Sequence, residues 1–244
     1  MMRKFIAGVP FDDAVPTQLL EHFLNKSKSE VVSLVGVHIT TLNAMKSRDL
    51  SQLELEKANL IFADGLSVSI LMRLGGLSHF KRIATTDLID YLLVHNFENV
   101  NLRVALIGGN EKISSSATTE WLRAREGDTV VGFLGYEMDL EKLLQELATF
   151  KPDLVLVGLG MPKELRFINE NFKDLPNALY VTCGGYLRLL GKLEFRAPRL
   201  MRYLRLEWCY RLLTDPLRTF PRYSIGMSSL LSLCTIAIRD RLRK

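Results

Sequence analysis

The sequence predicts an α/β fold: an open, mostly parallel Rossmann-like sheet with helices on both faces, followed by a C-terminal helical appendage. Three observations predict it. Six short runs rich in branched aliphatic residues recur, at Val31 to Val37, Leu60 to Ala63, Val104 to Ile107, Val130 to Phe133, Leu154 to Val157 and Leu179 to Thr182. They are nearly continuous apolar runs rather than alternating ones, as strands covered on both faces of a parallel sheet require. Helical patterns separate them, and strands alternating with helices imply right-handed βαβ crossovers.

Composition supports a real core. Hydrophobic residues make up 48% of the 244 residues and charged residues 24%, which excludes a disordered, collagenous or coiled-coil chain. Cys183, Cys209 and Cys234 are odd in number and too far apart for a CxxC motif, so neither a disulfide scaffold nor a zinc or redox site is expected. The N-terminal residues lack an apolar stretch of export-signal length, so no cleavable signal is expected.

Along the chain, Asp139 is a fair helix N-cap, and Leu140, Leu143, Leu144 and Leu147 follow as one apolar stripe. Four strands run into small residues at their carboxyl ends. These are Asp64-Gly65, Gly108-Gly109-Asn110, Gly158-Leu-Gly160-Met-Pro162-Lys163 and Gly184-Gly185. In a parallel sheet these ends share one edge, where ligands bind. Glycine lets the backbone approach a diphosphate, and a following helix start offers free N–H groups to its oxygens. Pro162 suits a first helical position, which aims the N–H groups near Lys163 into that cleft. Each loop alone reads equally as an ordinary βα turn. GxGxxG, GxxxxGK[ST], HExxH and G-x-S-x-G are all absent. His22, His38, His79 and His95 show no ligand spacing, and no metal or cofactor is expected.

Charge is unevenly spread. From Tyr186 onward there are 13 basic and 4 acidic residues, whereas the preceding part holds 19 and 23. A basic quarter on a near-neutral body suggests an anionic partner there: phosphate, nucleic acid or membrane surface. Residues 196–222 contain seven arginines and no lysine, and the guanidinium fork grips phosphate oxygens bidentately. Arg199, Arg202 and Arg205 fall near one helix face, which reads either as a phosphate or interface surface or as a solvated face paired with Glu194, Glu207 and Asp215. No nucleic-acid-binding signature accompanies the charge, so nucleic acid is not an expected partner. Tyr223 to Ile238 is uncharged over sixteen residues, shorter than the roughly 20 of a spanning helix. On a helix, Met227, Leu230, Leu231, Cys234, Ala237 and Ile238 share one side, with serines, Thr235, Arg239 and Arg243 opposite. That pattern describes a helix lying in a membrane interface, or one packed on the domain or in a dimer contact. The expected division is a core over 1–195 and a basic appendage over 196–244, with self-association left open.

One ordered set of residues carries a resemblance. It comprises Ala63-Asp64-Gly65, Ala84-Thr85-Thr86-Asp87-Leu88, Leu106-Ile-Gly-Gly109, Lys151 through Lys163, Gly191-Lys-Leu-Glu-Phe-Arg-Ala-Pro198, Leu206-Glu-Trp-Cys-Tyr-Arg-Leu212, Asp215-Pro216, Arg218 and Arg222-Tyr223. Together they resemble the WecG/TagA/CpsF family of bacterial glycosyltransferases over nearly the whole chain. The resemblance implies metal-independent, inverting transfer of a sugar from a UDP-sugar donor to a polyprenyl-diphosphate-linked saccharide. It also implies an appendage that meets the cytoplasmic face of the inner membrane and closes the active site. Asp64 matches the aspartate proposed as general base, and also reads as a plain Asp-Gly turn. Arg211, Arg218 and Arg222 match appendage arginines suited to the leaving diphosphate. Gly65, Thr86, Asp87, Gly108, Gly109, Gly160, Lys163, Glu164, Gly184, Gly185 and His38 are the substrate-binding candidates. Thr86 and Asp87 read equally as a helix cap, and His38 equally as packing. Three departures stand out: Glu164 where the family commonly has glutamine, Leu187 where it has aspartate, and His38 near an expected asparagine. They motivate a competing reading as a non-catalytic nucleotide-sugar-binding or scaffold protein.

Overall fold

The computed structural model describes residues 2–13, 16–25, 30–77, 79–80, 82–94, 101–135, 139–204 and 206–243; the side chains at positions 19, 24, 25, 218 and 222 are also outside the description. Arg205 and His95 therefore lie outside the described residues. The chain opens with a hairpin, β1 (Arg3–Ile6) and β2 (Val9–Asp12), then α1 (Pro16–Asn25). There follow β3 (Val32–Val37), α2 (Ile39–Lys46), α3 (Gln52–Glu56), β4 (Leu60–Ala63), α4 (Gly65–Leu74) and α5 (Thr85–Val94). The second half runs β5 (Arg103–Gly108), α6 (Glu111–Ala124), β6 (Thr129–Phe133), α7 (Leu140–Phe150), β7 (Leu154–Gly158), α8 (Lys163–Glu170), β8 (Leu179–Thr182) and α9 (Tyr186–Leu190). Three helices finish it: α10 (Arg199–Tyr203), α11 (Glu207–Thr214) and α12 (Pro216–Leu242).

All six expected strands form one sheet in the order β4-β3-β8-β7-β5-β6, and each pairing is parallel. The two-residue side-chain period sorts each strand onto two faces. Leu34, Phe62, Leu106, Leu156 and Val181 join α1, α5, α6 and α9 in one cluster. Ala105, Ile107, Val155, Val157 and Tyr180 meet α7 and α8 on the opposite face. Val35, Ile61 and Ala63 face that same side and are covered by the hairpin, α2, α4 and α12. In α7, Asp139 caps as expected, accepting from Lys142 N at 3.2 Å. Leu143 and Leu147 of its stripe are buried, whereas Leu140 points outward.

The hairpin was not legible in the sequence, because four-residue strands built of Arg-Lys-Phe-Ile and Val-Pro-Phe-Asp carry no period. Its chemistry is an edge device. Asp12 accepts the Ile61 N–H at 2.8 Å and is held by Arg3 in a two-point ion pair at 2.8 and 2.9 Å. Arg3 also donates to the carbonyls of Glu56 and Ala58, so one ion pair satisfies backbone groups of outer strand β4 and of the segment leading into it. At the far side of the sheet, buried Asp128 accepts from Leu102 N, Trp121 Nε1 and Arg125 Nε, at 2.7–2.9 Å.

Helix α12 spans 27 residues, about 40 Å at 1.5 Å per residue. It lies against α2 and α4, and Leu230, Leu233, Cys234 and Ala237 are buried in the core. A side chain on Gly226 would come within 2.4 Å of Ile39 Cγ1, so the two helices touch at backbone distance. Ser229 Oγ donates to Asn43 Oδ1 at 2.9 Å across the same contact. The apolar side expected for this helix is thus split. Leu230, Cys234 and Ala237 face the domain, while Met227, Leu231 and Ile238 face outward.

Candidate active site

Every crossover brings the chain back to one edge of the sheet, where the glycine loops gather. The chain leaves β5 toward β6 and leaves β7 toward β8, in opposite directions along the sheet. Helix α6 consequently covers one face and α8 the other. A reversal of this kind opens a crevice at the carboxyl ends of the two strands. Its floor is bare backbone: a side chain added at Gly108, where φ is +148°, would meet Gly158 O at 2.6 Å. Gly109 closes the same turn. Across the crevice Gly160 and Gly184 both have positive φ, and no atom lies within 4 Å of where their Cβ atoms would sit.

Glu164, in the first turn of α8, ties this rim together from beneath. It is 1% exposed, and its Oε2 accepts the Gly160 N–H at 3.2 Å and the Gly184 N–H at 3.1 Å. Burial pushes its carboxyl up to about 7, against the pull of those two N–H groups. The residue thus organises the loops of β7 and β8 from within the protein. Lys163 beside it is exposed. Pro162 occupies the N-cap of α8, one residue earlier than expected, with Lys163 first in the helix. Gly185 is the N-cap of α9.

Asp64 sits at the end of β4 and caps α4 in extended conformation, half-buried. Its backbone N–H bonds to Val37 O at 2.9 Å, and its Oδ2 accepts from Thr85 Oγ1 at 2.8 Å. Its other oxygen has no hydrogen-bond partner among the described residues. Gly65 follows with φ +85°, a conformation that suits only glycine and lets the chain turn directly into the helix. His38 ends the neighbouring strand β3 as Asp64 ends β4. Its Nδ1 lies 2.7 Å from Thr40 Oγ1, within the first turn of α2, so the ring is engaged locally.

From α5 the site connects to the appendage. Thr86 Oγ1 and Asp87 Oδ1 both receive Arg196 Nη2, at 2.8 and 2.6 Å, and Arg196 Nη1 pairs with Asp90. Asp90 also accepts from the buried Tyr186 hydroxyl at 2.8 Å. Burial raises that phenol's pKa first, and the Asp90 charge adds to it. Glu207 lies 3.9 Å from Arg196 and 2.8 Å from Arg211. Arg211 in turn lines a cavity of about 330 Å³ with Gly185, Arg188, Phe195, Tyr210, Thr219 and Tyr223. Arg218 and Arg222 occupy the first turns of α12, adjacent in sequence to Thr219 and Tyr223, and their side chains lie outside the described residues.

Of the candidates read from sequence, Asp64 and the glycine loops lie at the carboxyl edge of the sheet, and Arg211 lines the cavity beside Gly185. Sequence reasoning missed Thr85, passed over in favour of Thr86. It also missed Arg196, whose role as the tie between α5 and α11 appears only in three dimensions. Arg82 went unnoticed as well: it bridges to Ala63 beside Asp64, and its Nε is buried without a partner among the described residues.

The architecture and the ordered motifs find their match in a family model for the glycosyl transferase WecG/TagA/CpsF family, which covers residues 4–244. The chain belongs to the WecG/TagA/CpsF glycosyltransferase family. Three curated relatives, each 28% identical, carry the name N-acetylglucosaminyldiphosphoundecaprenol N-acetyl-beta-D-mannosaminyltransferase. The protein from Bacillus subtilis strain 168 is matched over 92% of this chain and 91% of its own length. The Bacillus spizizenii protein is matched over 91% and 90%, and that of Staphylococcus aureus MRSA252 over 86% and 84%. As a WecG/TagA/CpsF protein the chain is a glycosyltransferase, and the non-catalytic scaffold reading falls away. Among the described residues, no helix is long and apolar enough to cross a membrane.

Proposed function

We propose that the chain transfers a sugar from a UDP-sugar to a polyprenyl-diphosphate-linked saccharide with inversion, at the cytoplasmic face of the bacterial inner membrane. The observation that carries this reading is Asp64: a carboxylate at a strand end on the glycine-lined edge, with one oxygen fixed and the other open. In the reaction Asp64 takes the proton of the acceptor hydroxyl as that oxygen bonds to the anomeric carbon. The bond from that carbon to the diphosphate breaks, and UDP leaves with the electron pair. Negative charge then grows on the leaving oxygens, where preorganised cations lower the barrier. Arg211, together with Arg218 and Arg222, supplies that charge. The donor diphosphate lies over Gly108, Gly109, Gly160, Gly184 and Gly185, near Lys163. A carboxylate and guanidinium groups suffice for this chemistry, so the reaction needs no metal. The acceptor class is supported by the relatives, whose names specify an undecaprenyl-diphosphate-linked N-acetylglucosamine.

The same reading divides the chain into a catalytic unit, 1–195, and an appendage, 196–244, that meets the membrane. Leu200, Tyr203, Leu204, Leu213, Leu217 and Phe220 are exposed there, an apolar surface interleaved with arginines as an anionic interface favours. Incubation of the purified protein with a panel of UDP-sugars and a lipid-linked N-acetylglucosaminyl diphosphate, in the presence of a chelator, tests the proposal. One donor is expected to yield a lipid-linked disaccharide of inverted anomeric configuration. No product from any donor, or a retained configuration, overturns it.

A further inference from the structure

Thr85 and Gly36 form a pair that the proposed chemistry does not use. Gly36 is the penultimate residue of β3, the strand next to edge strand β4, and glycine inside a strand weakens it and marks a close approach. What approaches is Thr85: a Cβ on Gly36 would sit 2.6 Å from Thr85 Oγ1 and 3.1 Å from the Phe62 ring. Thr85 itself is 6% exposed and opens α5. Its hydroxyl donates to Asp64 Oδ2 at 2.8 Å across 21 residues of sequence. Asp64 makes no side-chain cap bond to its own helix. The Thr85 hydroxyl is thus the one side-chain hydrogen bond that fixes this carboxylate among the described residues.

We infer that Thr85 is the positioning residue for Asp64, its hydroxyl locking one carboxylate oxygen so that the other faces the acceptor, in a niche that exists because residue 36 has no side chain. This rests on the reading of Asp64 as the base. A threonine is suited to the task. It is branched at Cβ and has few rotamers, and its burial against β3 leaves the hydroxyl one direction in which to point.

The test uses Thr85→Val, which keeps the shape and removes the hydroxyl, and Thr85→Ser, which keeps the hydroxyl. Both are combined with Asp64→Asn, with UDP binding by calorimetry and thermal melting as controls. We expect Thr85→Val to lower kcat by about 10- to 100-fold, with KM for both substrates and UDP affinity little changed. Thr85→Ser should recover most of that loss. On the residual turnover of Asp64→Asn, adding Thr85→Val should cost nothing further, because the two residues act as one unit. Gly36→Ala, which crowds the hydroxyl, should behave like Thr85→Val. If Asp64→Asn abolishes turnover while Thr85→Val is fully active, the positioning role is overturned and the base assignment stands. A Thr85→Val loss that persists undiminished in the Asp64→Asn background, or that raises KM and lowers the melting temperature together, also overturns it. Full activity of Asp64→Asn instead overturns the base assignment itself.

Discussion

At the level of single residues, environment separates carboxylates that look alike in sequence. Asp64 directly follows β4 and Glu164 lies in the first turn of the helix after β7, yet Asp64 is half-buried with an open oxygen and Glu164 is sealed beneath the rim. The sealed group has a consequence for pH. Its folded pKa of about 7 lies above the ordinary 4.5, so between these values the folded protein holds a proton that the unfolded chain has released. Stability contributed by this group is complete below about pH 4.5 and is lost as pH rises through 7. Thermal melts across that window should show the wild type losing stability relative to Glu164→Gln, by on the order of 3 kcal/mol. Parallel curves for the two proteins would contradict the assignment. Asp128 stands at the other extreme, satisfied on every side. Asp128→Ala strands the Arg125 guanidinium in the interior, and chemical denaturation should register a loss of about 3–5 kcal/mol. Such distinctions are invisible in the sequence, which names carboxylates but not their surroundings. Thr85 escaped notice for the same reason, since nothing in Ala-Thr-Thr-Asp says which hydroxyl will face a strand 21 residues away.

Secondary elements were more legible where their periodicity is strong. The six buried strands announce themselves by continuous apolar runs, and Asp139 caps α7 as its sequence suggests. The hairpin β1–β2 buries Ile6, Val9 and Phe11 and is pinned to the sheet by the Arg3–Asp12 pair, but its strands are too short to carry a legible period. Helix α12 was half-legible because it has two apolar sides instead of one. Leu230, Leu233, Cys234 and Ala237 anchor it to the core, while Leu217, Phe220, Met227, Leu231, Ile238 and Leu242 lie on the adjacent side, about 100° round the helix, and are exposed. The outward positions recur at spacings near 3.6 and form a stripe about 37 Å long. Truncation after Tyr223 would strip the core as well as the stripe, so point changes are the cleaner probe. Leu231→Glu with Ile238→Glu should release the protein from vesicles of anionic lipid in flotation assays while leaving its melting temperature within a few degrees. Undiminished vesicle binding would remove the outward stripe from the proposed membrane-binding surface.

Across the whole molecule, one edge of a parallel sheet collects what the chain scatters over 150 residues. Asp64 and the glycine loops arrive there because every crossover returns to the same side, without any contiguous motif, and Arg196 ties the chain beyond β8 to Thr86, Asp87 and Asp90 of α5. The fold was readable because burial on two faces leaves a strong compositional signal. The site was readable only in part, because it depends on which loops meet. Its central claim is that Asp64 serves as the base of an inverting sugar transfer, and comparison of wild type with Asp64→Asn tests that most directly. Transfer to a lipid-linked acceptor and UDP affinity are to be measured on the same preparations. The account predicts turnover reduced by about 100-fold or more with UDP binding essentially intact; unchanged turnover would contradict it.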